Sequence, residues 1–170
     1  MILNGFRKAN IRKSINKELL KRKELRIENT NNIALVVLFV DEDSLENLDQ
    51  IISKKLNIDA AKVSIVFFRT KQGSETSYEN ELTEKDFSLF GKLKNESIKK
   101  LINSDCDLLL NYTNDNLHLN YLTAFSKARF KVGLKDNQKE LFDLMINVDN
   151  SNLDLFHNEL VKYLKILNKI

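Results

Sequence analysis

Ile33-Ala34-Leu35-Val36-Val37-Leu38-Phe39-Val40 is an apolar run without interruption. A strand with one wet face alternates apolar and polar residues. A run without alternation, rich in β-branched residues, marks a strand covered on both faces, as in parallel sheets. The polar turn Asp41-Glu42-Asp43-Ser44 follows, and Asp43 with Glu46 has the spacing of a capping box. Leu45, Leu48, Ile51, Ile52 and Leu56 then recur at the helical period to about Asn57, and Val63 to Phe68 is a second apolar run. A strand–helix–strand unit of about 36 residues is a βαβ crossover.

Working outward, Arg69 to Leu82 is polar and holds Gly73, which predicts a loop, and Asp86 to Phe90 predicts a short edge strand. A helix is expected over 95–103 with Ile98, Leu101 and Ile102 inward, then a central strand over 107–112. Asn114 or Asn116 can cap the next helix, which runs to about Arg129 with Leu117, Tyr121, Leu122 and Phe125 on one face. Short strands are expected at 130–134 and 142–148. Ser151 with Asp154 again has capping-box spacing, and Leu153, Phe156, Leu160, Leu164 and Leu167 form the core face of a last helix. Strands alternating with helices predict a Rossmann-like, three-layer α/β/α fold. The expected sheet has five or six mainly parallel strands, centred on Val36, Ile65, Leu109, Val132 and Met145.

The chain has 170 residues, 42% of them apolar, which suits one Rossmann-like domain over 33–170 preceded by a helical arm over 1–28. No apolar run is long enough to span a bilayer, and the first residues lack the pattern of a secretory leader. The single cysteine, Cys106, excludes an intramolecular disulfide. The expected compartment is the cytoplasm. Cys106 precedes a buried strand and reads as a small core hydrophobe.

Charge is unevenly placed. Residues 1–26 hold nine basic residues (Arg7, Lys8, Arg12, Lys13, Lys17, Lys21, Arg22, Lys23, Arg26) against Glu18 and Glu24, a local charge of +7. The overall charge is +3, so the remainder carries −4. Ile11, Ile15 and Leu19 recur every fourth residue within this segment, giving a helix with a narrow contact stripe. Asn29 to Asn32 is the expected junction with the body. Lysines and arginines on a helix can neutralise phosphates, so RNA or the ribosome is the first expected partner; an anionic membrane face satisfies the same charge. Phe6 is the arm's one aromatic residue, which favours backbone contact over base readout. Two plainer readings stand beside docking. The stripe can pack on the body, or it can pack on a second copy in a homo-oligomer.

Open α/β sheets bind ligands beyond the carboxyl ends of their strands, where strand order reverses. That crevice is expected between the strands ending at Val40 and Tyr112. Asp41, Asp43, Asn114, Asp115 and His118 are the catalytic candidates around it, with Glu42, Thr113 and Asn116 on the same lip. Such residues suit a sugar, a metal or a ribose. They are also the residues favoured at helix caps, which is the preferred reading. With four glycines, none directly following the first strand, and no GxGxxG or GxxxxGK[ST], no nucleotide cofactor is expected. His118 and His157 form no HxxxH or HExxH pair, so both read as structural and no metal is expected.

The run from Cys106-Asp107-Leu108-Leu109-Leu110-Asn111-Tyr112 to Phe130-Lys131-Val132-Gly133-Leu134 resembles a segment of heptosyltransferase-type glycosyltransferases. There a strand of the form D-L-[LV]-[LI] leads through a helix to a [VI]-G-[FLY] strand. The resemblance covers about residues 33–148 and implies the Rossmann-like acceptor half of a two-domain enzyme. Val40-Asp41-Glu42-Asp43 stands where that family has S-x-[IL]-G-D. Asp43 matches the carboxylate base, without the glycine that shapes the turn. A donor-binding half has no room in 170 residues, so the resemblance implies a borrowed half-fold. The whole chain also resembles a small uncharacterised family from the Bacteroidota, a domain of unknown function, which implies no known activity. The expectation is a non-catalytic binding module. A small glycosyltransferase-like or hydrolase-like enzyme built on the crevice is the alternative.

Overall fold

The computed structural model describes residues 2–22, 33–41, 47–69, 79–134, 138–148 and 152–170. Six strands form one sheet: β1 (Val36–Val40), β2 (Val63–Phe68), β3 (Asn80–Leu82), β4 (Leu108–Asn111), β5 (Phe130–Leu134) and β6 (Leu144–Ile146). Their order is β3-β2-β1-β4-β5-β6 and every adjacent pair is parallel. The order reverses between β1 and β4, where the sequence places the crevice. Among the described residues, five helices cover the sheet: α1 (Ile2–Arg22), α2 (Leu48–Leu56), α3 (Glu96–Ile102), α4 (Leu117–Phe125) and α5 (Leu153–Ile166).

The apolar run of β1 is buried along its length because both faces are covered. Val36, Leu38 and Val40 face one way and join α2 and α5 through Ile52, Phe156, Leu160 and Leu164. Val37 and Phe39 face the other way and join α1, α3 and α4 through Ile11, Ile15, Ile98, Leu119 and Leu122. The period of two along a strand thus assigns alternate residues to two separate cores.

Helix α4 lies between the sheet and α1. Every residue from His118 to Ala124 is buried, the polar His118, Asn120 and Thr123 among them, so the helix is covered on both sides. That cover is α1, whose Ile11, Ile15 and Leu19 are buried in the same core. The stripe is therefore filled by the chain's own body. At about 1.5–3 kcal/mol for each fully buried aliphatic side chain, it ties α1 firmly to α4.

Several local expectations are corrected. The edge strand is Asn80–Leu82, within the stretch predicted as loop. Three residues with one apolar member, Leu82, carry too little pattern to show in the sequence. Asp86 to Phe90 forms no strand: Asp86 ends a 3-10 turn, Glu84–Asp86, with a Thr83–Asp86 capping box, and Phe87 makes an isolated antiparallel bridge to Leu93. Helix α4 stops at Phe125 because Lys131 Nζ donates to the carbonyls of Thr123 and Ser126, both at 2.7 Å, terminating the helix with a cation. Helix α5 is capped by Asn152, whose side chain accepts from Leu155 N at 3.2 Å. Leu167 lies past its end and is exposed. The Asp43–Glu46 box, Ser151 and the junction at Asn29 to Asn32 lie outside the described residues.

Candidate functional site

The crevice at the ends of β1 and β4 is built from polar side chains that bond to one another. Asn111, the last residue of β4, is fully buried. Its Nδ2 donates to Thr123 Oγ1 at 3.1 Å and to Asn120 Oδ1 at 3.4 Å, and its Oδ1 accepts from Thr113 N at 3.0 Å and Thr113 Oγ1 at 2.7 Å. Asn120 Nδ2 donates to Asp115 Oδ1 at 3.1 Å. Asn116 caps α4, accepting from the backbone of His118 and Leu119, and its Nδ2 donates to Asp41 Oδ2 at 2.9 Å. The network holds β1, β4 and α4 in register by satisfying groups that would otherwise be buried without partners.

Among the described residues, the catalytic candidates have different surroundings. Asp41 is half-buried and held by Asn116; Asn114 and Asp115 are exposed; Asp43 lies outside the described residues. A recess of about 400 Å³ beside the crevice is lined by Arg12, Asn16, Asp115, Asn120 and Gln138 but by neither Asp41 nor His118. His118 turns away from it. Its ring is buried, stacked on Phe68 at 4.6 Å and tilted against Phe87 at 5.0 Å. Burial lowers its pKa to about 4, with Glu84 opposing and Lys8 and Arg7 reinforcing the shift. His157 is equally buried, with Nε2 3.0 Å from Tyr112 Oη, and burial lowers it to about 4 as well. Burial pushes the Cys106 thiol up to about 12, leaving a protonated sulfur with no nucleophilic character at neutral pH. Among the described residues, no three His, Cys, Asp or Glu side chains are grouped to hold a metal.

The basic residues divide by helix face. Arg7 and Lys8 turn toward the body, where Arg7 donates to Glu84 O at 3.1 Å and Lys8 pairs with Glu84 Oε1 at 3.5 Å. Asn4 donates to the same carboxylate and Asn10 to Leu89 O. Gly91, at φ 72°, lets this turn lie against the α1 backbone, since a β-carbon there would meet the backbone at Asn10 and Ile11 at 2.7 Å. Arg12, Lys13 and Lys17 are exposed and, among the described residues, form no ion pair; Lys21 is exposed and pairs with Glu18 at 2.8 Å. Arg22 ends α1, and Lys23 lies outside the described residues. Beside α1, a groove of about 470 Å³ carries Lys17, Lys21, Lys92 and Lys99 around Leu93, Tyr121 and Phe125. The Asn111 network and this groove were missed from sequence. Their traces are polar residues inside otherwise apolar elements and lysines far apart in the chain.

No helix among the described residues is long and apolar enough to cross a membrane. A family model described as a family of unknown function (DUF6913) matches residues 7–167. No curated protein and no solved structure matches.

Proposed function

The chain belongs to this family of unknown function, and we propose that it is a non-catalytic docking module that applies the outer face of α1 to a polyanionic surface. RNA and the ribosome are the partners that a basic helix brings forward first. The observation that carries the reading is the orientation of α1. Its apolar stripe is used up inside the domain, and Arg12, Lys13 and Lys17 are left facing water. The family match begins at Arg7, so Arg12, Lys13 and Lys17 lie within the matched residues. The crevice supports the same reading from the other side, since its amides and carboxylates serve as caps and cross-links. The enzymatic alternative calls on Asp41, Asp43, Asn114, Asp115 and His118 around one crevice; His118 packs on Phe68 and Phe87 instead of joining Asp115 at the recess, and Asp43 lies outside the described residues.

Truncation is a poor test, because removing α1 uncovers α4. The suitable variant is Lys13→Glu with Lys17→Glu in the full chain. Cosedimentation with ribosomes and with purified RNA, at low and high salt, is expected to show binding that weakens steeply with salt and is lost in the variant. Equal binding by both proteins would reject α1 as the docking face.

A further inference from the structure

The outer face of α1 is not only cationic. At 3.6 residues per turn, Phe6, Lys13, Lys17 and Leu20 fall within about 60° of arc, opposite the stripe of Ile11, Ile15 and Leu19. Phe6 is 52% exposed and Leu20 67%, and Leu3 on the flank is 64% exposed. The turn that Asn10 and Gly91 fasten to this flank adds Phe90, 71% exposed, and Leu89. Lys21 and Lys92 are exposed on the groove side of α1, and Arg12 is exposed on its other flank, where it lines a recess with Asp115. The one acidic residue of α1, Glu18, is turned inward and paired with Lys21.

From this juxtaposition we infer that the polyanion is the headgroup layer of an anionic membrane, on which α1 lies flat with Leu3, Phe6, Leu20 and Phe90 inserted. The inference rests on the docking reading and names its partner. Nucleic-acid phosphates draw on the cations alone and leave these apolar side chains in water. An anionic bilayer uses both, taking the apolar side chains into the acyl boundary and the cations at the headgroups. Isolated exposed apolar residues need no explanation, but these share one face and one fastened turn. Lysine supplies most of the charge, and its long stem reaches the headgroups while its methylenes stay among apolar neighbours.

Flotation with vesicles tests this, using phosphatidylcholine alone or an equimolar mixture with phosphatidylglycerol. The full chain is expected to float with the mixed vesicles and not with phosphatidylcholine alone. Phe6→Ser with Leu20→Ser, both at exposed positions, is expected to reduce flotation by more than about tenfold while leaving RNA binding unchanged. Lys13→Glu with Lys17→Glu is expected to abolish both. Flotation unaffected by the serine variant overturns the insertion. RNA binding that is lost in the glutamate variant, with no flotation of the parent, overturns the membrane and keeps the docking face. Binding to neither vesicles nor RNA overturns both.

Discussion

The crevice beyond β1 and β4 and the outer face of α1 put their polar residues to opposite ends. In the crevice Asn111, Asn116, Asn120 and Asp115 are occupied by one another, so the polarity there is internal scaffolding. On α1, Lys13 and Lys17 have no ion-pair partner among the described residues, and Phe6 and Leu20 have no cover. A site that closes on itself explains the fold, whereas a surface whose groups are left open points to a second molecule. The place where α/β sheets most often bind ligands is thus the less informative of the two here.

The comparison breaks most severely if α1 can be removed. Deleting residues 2–22 strips Ile11, Ile15 and Leu19 from α4. The loss is expected to rival the whole stability of a domain, typically about 5–15 kcal/mol, and a circular-dichroism melt should show no cooperative transition. A normal melt would make α1 a detachable arm. Next in size is Asn111→Ala, which removes the side-chain acceptor of Thr113 N and the donor to Thr123 Oγ1. Urea unfolding is expected to show a loss of about 2–4 kcal/mol. A loss below about 0.5 kcal/mol would show that the crevice is not the scaffold described.

Acid gives a smaller, graded effect. His118 and His157 stay neutral in the folded protein until about pH 4, whereas unfolded histidine takes its proton near 6.5. Below about 6.5 the unfolded state therefore binds more protons and stability falls, and the decline ends once pH passes the folded value. The charged neighbours are Glu84, Lys8 and Arg7 for His118, and Lys55 and Asp154 for His157. Denaturant midpoints should drop between about pH 7 and pH 5, and His118→Phe should flatten the drop. A flat profile in the parent would mean that these rings are not buried neutral. The smallest effect is on the outer face itself, where Lys13→Glu with Lys17→Glu should change stability by less than about 0.5 kcal/mol.

Much of this architecture was readable from period alone. The unbroken run to Val40 and the stripe of α5 gave parallel strands and a packed helix, and the reversal of order between β1 and β4 fell where expected. Three-residue β3 was not readable, since its pairing to β2 comes from the neighbour and not from its own composition. The charge of α1 was readable, and its direction was not. Ile11, Ile15 and Leu19 suit the body and a second copy equally well from their spacing alone, and in the structure they are buried in the same core as Leu119 and Leu122 of α4. Of the crevice candidates, Asp41 meets Asn116 at the lip, while His118 packs on Phe68 and Phe87. Hydrogen bonds between residues such as Asn111 and Thr123 leave no periodic trace, so their mutual saturation was not visible.

Lysine footprinting tests the docking face most directly. Full-length protein is labelled with an amine-reactive reagent, alone and with mixed phosphatidylcholine–phosphatidylglycerol vesicles or RNA, and the modified sites are read by mass spectrometry. Lys54 on α2 and Lys165 on α5, both exposed on the opposite side of the sheet, serve as internal references. Protection of Lys13 and Lys17 by either polyanion, with Lys54 and Lys165 labelled as before, is the predicted result. Protection of Lys54 and Lys165 with Lys13 and Lys17 still labelled, or no protection of either pair, would contradict it.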